Sequence, residues 1–428
     1  MRNKAPLILS MILFSVSLMV SGQKQVNSPY SRFNIGTMEP AGAFRSQGMG
    51  GVSVGMRDNT SIFFSNPASY SAFDTTSFVF DFGIDYSLNK LSFGKESHKS
   101  DDMNFDHLIV GFPISKGFGM AAGIVPVSNG YYKLKDQVTS ADAGYNPVIG
   151  SYTSSHTGDG GFTEFFVGTG LNLHKYVSAG VNVNILFGQI KRTNKFVFED
   201  AENVYNDNAN ERLQVSGINL DYGVQLMLPI KENKFLNAGL SFTAGRSYKT
   251  DYENFIFRYT TFGTADTVSF TSGEGNPLKL PGTVRAGVAF GKTNALTIGL
   301  DFISTRWSDA VIPGSEGYAA DTKTFMFGVE YTPEKYSNIS YLKRLDYRLG
   351  GHFGDNYLII NGEQLKEMGV SAGIGIPMRR GTLSKANLFI DYSRRYGSEA
   401  AGLHMEHYLT AGASINLYDV WFWKRRYN

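Results

Sequence analysis

Few residues in this sequence have the types and spacing that chemistry on a substrate would need. Two histidines, His107 and His352, fall on the polar side of alternating segments, and neither has a serine and a carboxylate spaced to form a nucleophile–base–orienter set. The sequence has no G-x-S-x-G motif, and its seven histidines show no metal-ligand spacing. The sequence therefore predicts a protein that is not an enzyme and that uses no cofactor and no metal.

Arginine offers a different kind of chemistry, the recognition of a carboxylate through the two parallel hydrogen bonds of its planar fork. Arg285, Arg348 and His352 share the polar side of alternating segments. One interpretation makes these three residues candidates for binding the carboxylate headgroup of a ligand. The other, which we favour, pairs Arg285 with Asp301 and Arg348 with Glu330 as structural ion pairs between neighbouring strands.

A glycine-rich stretch, GMGGVSVGMRDNTSIFFSNPASYSAF, covers residues 48–73. It does not match the phosphate-binding pattern G-x-G-x-x-G, because Ser53 stands where the third glycine is required and no strand precedes it. Close packing of backbone against backbone explains the glycines better. Further along, residues 199–208, EDAENVYNDN, carry oxygens that could bind calcium, but a solvated acidic loop is the favoured interpretation.

Composition narrows the class of protein. Charged residues make up only 18% of the 428 residues, and the formal net charge is +2. No basic run is long enough to predict binding to nucleic acid. The chain has no cysteine, which excludes disulfides and thiolate metal sites.

The first residues have the pattern of a secretory signal peptide. Arg2 and Lys4 precede the apolar run APLILSMILFSVSLMV, and VSG follows it, so we expect cleavage before Gln23. The alternative is an uncleaved anchor, but residues 5–20 are fewer than the roughly 20 that a membrane-spanning helix needs. An exported chain without cysteine fits a bacterial envelope.

After residue 75 the dominant signal is an alternation of period two. In SFVFDFGIDYSL, residues 77–88, one side is apolar and the other is mostly polar or glycine. Such segments run about 9–14 residues, long enough to cross a bilayer as tilted strands. Fourteen candidate strands begin near Ser77, Asn104, Phe118, Phe162, Val177, Ser216, Phe235, Thr283, Leu296, Thr324, Leu345, Gly369, Asn387 and His407.

The segments between the candidate strands alternate between short turns and long polar connections, as in outer-membrane barrels. The longest connections, predicted as loops, cover residues 128–161 and 247–281. Tyr331, Trp307 and two tryptophans of the last residues fall near strand ends, as interfacial aromatic residues do. The sequence predicts an all-β fold, a fourteen-stranded antiparallel transmembrane β-barrel, whose wide lumen must be filled.

Several motifs resemble the FadL/TodX family of outer-membrane transporters for long-chain fatty acids and other hydrophobic compounds. RDNTSIFFSNPAS is similar to the N-terminal hatch signature of that family, which ends in an Asn-Pro-Ala turn. LKLPGTVRAGVAF, LTIGLDFISTRWSD and DYRLGGHF resemble later strand motifs of the family, in the same order. INGEQLKEMGVSAGIGIPM and the ending WFWKRRYN are similar to one subgroup of FadL-like barrels.

The resemblance implies a hatch, or plug, inside the barrel and a kink in the third strand that opens sideways into lipid. The third candidate strand contains Pro126, which removes a ladder donor, so it either forms this lateral gate or simply ends the strand. The residues assigned to the hatch are Asn66, Pro67, Ala68, Gly50 and Gly51.

These observations predict four parts: a signal peptide (1–22), a hatch (23–75), a transmembrane barrel (76–418) and a periplasmic tail (419–428). The expected function is passive uptake of small hydrophobic molecules, fatty-acid-like or aromatic, through the outer membrane by lateral diffusion. The expected partners are membrane lipid and these small molecules. The alternative is a non-transporting barrel subunit of an outer-membrane secretion or barrel-assembly complex, with envelope proteins as partners.

Overall fold

The computed structural model describes residues 28–93, 96–142, 145–148, 150–198, 205–260, 265–274, 276–314, 317–378 and 383–420. The predicted signal peptide, its cleavage site, residues 199–204 of the acidic loop and the ending WFWKRRYN lie outside these ranges.

Extended strands make up most of the described chain. They are β1 (Thr37–Met38), β2 (Ser77–Phe93), β3 (Glu96–Ser115), β4 (Phe118–Asn129), β5 (Tyr132–Val138), β6 (Tyr152–His174), β7 (Val177–Phe198), β8 (Asn206–Ile230), β9 (Lys234–Thr243), β10 (Arg246–Tyr259), β11 (Ala265–Glu274), β12 (Leu278–Leu280), β13 (Thr283–Lys292), β14 (Leu296–Thr305), β15 (Thr322–Tyr331), β16 (Asp346–Ile360), β17 (Glu363–Pro377), β18 (Lys385–Tyr396) and β19 (Met405–Val420). The described helices are α1 (Phe44–Gln47) and the 3-10 turns Pro29–Arg32, Pro67–Ala72, Trp307–Asp309, Leu342–Arg344 and Glu399–Ala401.

The strands after residue 76 close into an antiparallel barrel of fourteen, and the predicted fold class is confirmed. Nineteen labelled strands give fourteen wall strands because β1 belongs to the residues inside the barrel and four labels continue an interrupted wall strand. Thus β5 continues β4, β10 continues β9, and β12 and β13 continue β11. The last strand, β19, pairs with β2 from Met405↔Ser92 to Val420↔Ser77, so both ends of the barrel chain lie on one side. Closure pairs the backbone groups that an open edge would leave unsatisfied in lipid.

The two faces of the wall differ as the alternation predicts. In β7, Asn182 and Asn184 are buried toward the lumen, whereas Val183 and Ile185 are about 40% exposed on the outside. The outer face carries a band of apolar side chains, among them Leu240, Leu300, Phe327, Leu349 and Val370. No helix in the described part of the chain is both long enough and apolar enough to cross a membrane.

Two segments predicted as loops contain extended strands, so these two predictions are wrong for the residues in those strands. Within residues 128–161, β5 pairs with the first residues of β6. Within residues 247–281, β10 and β11 form a hairpin, and β10 also pairs with β8. Neither face of β10 is apolar throughout, because Lys249, Asp251 and Glu253 lie on the same face as Phe255 and Phe257. The strand therefore lacks the continuous apolar side by which membrane-spanning strands were recognised.

The residues before β2 lie inside the barrel, and we call Ser28 to Phe73 the inner segment. It begins where the long connections emerge (the long-loop end), because Ser28 Oγ donates to Glu406 near the start of β19. It finishes at the opposite, short-turn end, next to Asp74, which accepts from the Tyr418 hydroxyl. Between these ends, a Cβ added to wall glycines such as Gly239 or Gly328 would lie 2.1–2.2 Å from backbone oxygens of the inner segment, so the glycines of the wall are a packing requirement.

An apolar cluster surrounds the inner segment at the long-loop end. Tyr30 and Ile35 pack there with buried side chains of the wall, and the ring of Trp307 lies 4.5 Å from that of Tyr357. Trp307 is therefore buried, and the prediction that it belongs to an interfacial belt is wrong. Tyr331, at the end of β15, is half exposed on the outer face, as expected for such a belt.

Gly239 tests how tightly the wall grips the inner segment. A Cβ at this position would lie 2.1 Å from the carbonyl oxygen of Val54. We expect Gly239→Val to lower the free energy of unfolding by about 1–3 kcal/mol because the core is overpacked. The matched control is Ala238→Val, which adds the same kind of side chain on the exposed outer face of the same strand. Equal denaturant midpoints for the two purified variants would contradict the contact.

Candidate functional site

A buried cluster of charges joins the inner segment to the wall. Arg45, on α1, donates from Nε and Nη2 to the two oxygens of Glu330, at 3.0 and 2.7 Å. Arg348, on the adjacent strand β16, donates to the same carboxylate at 2.7 Å. It also donates to Asp346, which in turn pairs with Lys385. All these groups are buried or nearly so. Each has a counter-charge, which offsets the desolvation cost of placing charges inside the barrel.

The cluster continues along the inner segment through Asp58. Arg45 Nη1 donates to the Asp58 carboxylate at 2.9 Å and to the Ser61 hydroxyl at 2.9 Å. Burial alone would raise the pKa of Asp58, but the charges of Arg45, Lys335 and Lys385 and the hydrogen bond from the Thr60 amide together outweigh it and hold that pKa well below its ordinary value. Asp58 is therefore ionised at neutral pH, and Arg45 is shared between a residue of its own segment and the wall.

The two candidate arginines of the wall differ in their partners. Arg348 pairs with Glu330, as the favoured interpretation expected. Arg285 instead donates to the hydroxyl of Thr243 at 2.8 Å. Asp301 lies opposite Gly287 in the ladder, and its carboxylate accepts from backbone amides of the inner segment. The expected Arg285–Asp301 pair is therefore wrong: Asp301 faces the inner segment and is already hydrogen-bonded there.

The two inward histidines lie against carboxylates. His107 Nε2 is 3.1 Å from Asp81, and its Nδ1 is 2.5 Å from Asp106. The ring also packs edge-on against Phe44 of α1. His352, the third ligand candidate, is 3.8 Å from Asp391 through Nδ1. The wall therefore supplies carboxylates to the cations among the ligand candidates, except to Arg285, for which no ion pair appears among the described residues.

The Asn66-Pro67-Ala68 turn packs against the wall of the lumen. The Asn66 side chain accepts from the amide of Ala68 at 3.2 Å and donates to the carbonyl of Val54 at 3.0 Å. Pro67 occupies the space that side chains at Gly180 and Gly223 of the wall would otherwise take. Asn66 thus caps the 3-10 turn that starts at Pro67 and ties two parts of the inner segment together.

Gly50 and Gly51 have positive φ angles of 70° and 93°, a backbone conformation that favours glycine. A Cβ on Gly50 would lie 2.5 Å from backbone atoms of Gly351, and the Gly50 amide donates to the Ser371 hydroxyl at 2.8 Å. A side chain at Gly50 would therefore be opposed by both its backbone conformation and the wall.

Pro126 lies within β4 at an irregularity of the wall. The register between β4 and β6 shifts between Pro126 and Ser128. On its other side, β4 pairs with β3 only as far as Leu108↔Ile124. Beyond that point β1 of the inner segment occupies the edge of β4, with Thr37↔Asn129. The ladder between β3 and β4 therefore ends two residues before the proline, and β1 pairs with the edge of β4 from inside at Ser128 and Asn129.

A polar cavity of about 350 Å³ lies at the short-turn end of the lumen, and we call it the short-turn cavity. Arg45 and Glu330 form part of its wall, together with the turn 293–297. Its lining also contains Arg57, which sequence analysis did not single out. The signal available in the sequence was the pair Arg57 and Asp58, two charges inside a stretch that is otherwise apolar or small.

Comparisons with known proteins agree on the fold. The toluene transporter TodX of Pseudomonas putida is similar over 90% of this chain and 99% of its own, with a TM-score of 0.57 and 15% identity. The toluene transporter TbuX of Ralstonia pickettii (TM-score 0.54, 11% identity) and a Pseudomonas aeruginosa FadL homologue (0.53, 12%) each match 90% of this chain; the matches cover 99% and 98% of those chains. No curated protein sequence matches the chain.

The barrel, with an inner segment crossing its lumen, therefore has the fold of the FadL-like channels, as the sequence motifs indicated. Identities this low establish the fold alone. The family itself is given by sequence: the BamG family matches residues 3–428, nearly the whole chain, and the protein belongs to that family.

Glu330 is the centre of the charge cluster and tests its strength. Glu330→Gln leaves Arg45 and Arg348 without the carboxylate they share, so we expect the free energy of unfolding to fall by about 3–5 kcal/mol. The inner segment should also become more sensitive to protease. The control is Glu232→Gln, which removes an exposed ion pair with Lys234 and should cost less than about 1 kcal/mol. Similar losses in both variants, measured by denaturant unfolding, would contradict the role of the cluster.

Proposed function

We propose that this BamG-family protein is a non-transporting barrel subunit of an outer-membrane secretion or barrel-assembly complex. In this role the barrel anchors the complex in the membrane. Its extended strands at the long-loop end and the turns at the short-turn end provide the surfaces for other envelope proteins.

The observation that carries the proposal is the way the inner segment fills and grips the lumen. Arg45 is held by Glu330, Asp301 holds two amides of the inner segment, and β1 pairs with β4. At the long-loop end, the inner segment also packs into the apolar cluster around Tyr30. A segment tied to the wall at several levels supports a permanent structural element better than a gate that must move with every molecule transported.

The likeness to hydrophobic-compound channels does not oppose this proposal. One fold supports many functions, and function has to be argued from the site. The charges that line the short-turn cavity would have to be passed or displaced by an apolar molecule leaving along the barrel axis, at a cost in desolvation. The match to the BamG family covers the whole barrel, so the family assignment does not depend on the likeness to the channels.

A second candidate is the passive uptake of hydrophobic molecules by lateral diffusion. The specific observation in its favour is the ladder between β3 and β4, which ends at Ile124, two residues before Pro126 and close to where a lateral exit would be needed. In this candidate, movement of β1 away from β4 opens the edge. The ligand then leaves sideways and does not pass the charged cavity.

The test of the proposed subunit role is purification of the tagged, full-length chain from its native membrane in mild detergent. We expect envelope proteins to co-purify in stoichiometric amounts and to dissociate when the same preparation is treated with a denaturing detergent. Elution of the chain alone, with the protein mass of a single chain after subtraction of the detergent, would overturn the proposal.

The second candidate can be tested with a reversible cross-link, because the chain has no cysteine of its own. A Cβ on Gly48 lies 3.6 Å from the Cβ of Phe389, within the range for a disulfide, so Gly48→Cys with Phe389→Cys ties the inner segment to the wall. Transport predicts that oxidation lowers toluene or oleate uptake into liposomes by about tenfold or more, and that reduction restores it. Uptake no faster than in empty liposomes contradicts transport, and uptake unaffected by oxidation contradicts movement of the inner segment.

A further inference from the structure

Arg57 is an unusual cation in the lumen because its guanidinium hydrogen-bonds only neutral oxygens. Nη1 donates to Ala68 O, Ser71 Oγ, Ser178 Oγ and Gln225 Oε1 at 2.9–3.4 Å, and Nη2 donates to Asn172 Oδ1 at 3.1 Å. No carboxylate pairs with it among the described residues. Burial without a counter-charge lowers the pKa of Arg57 to about 10, which still leaves it charged at neutral pH.

The charges around the short-turn cavity do not balance. Four cations line it, namely Arg45, Arg57, Lys335 and Lys385, against three carboxylates, those of Asp58, Glu330 and Asp346. The carboxylates are already engaged: Arg45 holds two of them, and Lys385 holds the third. Lys335 donates to the amide oxygen of Asn294. The described lining therefore has one positive charge in excess, and Arg57 is the half-buried cation that pairs with no carboxylate among the described residues.

The position of Arg57 makes it accessible to a ligand from one side only. Its side chain is partly exposed, whereas the inner segment and strands β6, β7 and β8 enclose the rest of it. The cavity opens at the short-turn end, which faces the periplasm in a barrel of this kind. Its volume of about 350 Å³ is within the range of ligand sites.

We propose that the short-turn cavity is a binding site for a carboxylate, and that its occupant is an acidic side chain on an extended segment of a periplasmic partner. Arg57 receives the carboxylate, and the planar fork of the guanidinium suits it. Lys335, at the same cavity, adds a second positive charge that favours acidic sequences over neutral ones. This proposal rests on the proposed subunit role, because it names a contact that such a subunit makes in the periplasm.

The site can be tested on the full chain in detergent with an amidated tetrapeptide, Gly-Glu-Glu-Gly, and its neutral counterpart, Gly-Gln-Gln-Gly, both labelled with an uncharged fluorescent dye. We expect the acidic peptide to bind at least about tenfold more tightly than the neutral one, and added salt to weaken it. A third peptide, Gly-Gln-Gln-Gly with a free carboxyl end, separates a chain terminus from an acidic side chain: if it binds as well as the acidic peptide, a chain terminus replaces the acidic side chain as the occupant. Equal binding of the acidic and neutral amidated peptides would overturn the proposal.

Variants locate the binding at Arg57. Arg57→Gln should weaken the acidic peptide about tenfold or more, and Arg57→Lys, which keeps the charge but loses the fork, should weaken it less. The matched control is Arg212→Gln, since Arg212 pairs with Glu253 on the strands beyond the long-loop end and should leave binding unchanged. If Arg57→Gln fails to fold, the Lys variant carries the test, and unchanged affinity in it together with no salt dependence counts against the site.

The site and the subunit role can fail separately. If the chain purifies alone but binds the acidic peptide through Arg57, the binding site is supported and the subunit role is contradicted. The opposite result has two parts: partners stay bound in stoichiometric amounts to a folded Arg57→Gln chain, and the natural chain does not bind the acidic peptide. That result would support the subunit role and contradict the binding site.

Discussion

Closure of the hydrogen-bonded ladder between β19 and β2 is the constraint on which the rest of the molecule depends. In lipid every backbone donor and acceptor needs a partner, so a sheet of long strands with an apolar outer face has to join its own edges. With fourteen strands, the circumference encloses more space than the side chains of the wall can fill. The inner segment fills that space, and its composition is set by how closely it packs against the wall.

The fit is made in two chemically different ways. In the middle of the lumen, wall glycines let backbone approach backbone, as where Gly328 and Gly350 meet Met49. Near the short-turn end, charged residues replace glycines, and Arg45 binds Glu330 across the gap between segment and wall. The glycine contacts fix the distance between segment and wall, whereas the ion pairs fix the orientation of the segment, because a bidentate arginine–carboxylate pair has a narrow range of geometries.

Local sequence patterns predicted the wall well, because alternation along one strand reports directly which face meets lipid. The strands that begin at Ser77 and Val177 start at the expected residues. The hairpin of β10 and β11 was predicted as a loop, since charged and aromatic residues share one face of β10 and neither of its faces is apolar throughout. Contacts between residues far apart in the sequence were harder to predict from sequence patterns. Arg45 and Glu330 are 285 residues apart, and Asp301 binds backbone amides, which every residue but proline offers, so no residue type reveals that partner.

The course of the inner segment has a consequence for how the protein is made. The segment enters the lumen beside Glu406 at one end, leaves it beside Tyr418 at the other, and touches wall backbone along the way. A finished cylinder would leave no clearance for threading a chain through it. The strands of the wall must therefore assemble around the inner segment before β19 pairs with β2, so this segment serves as the template on which the barrel closes.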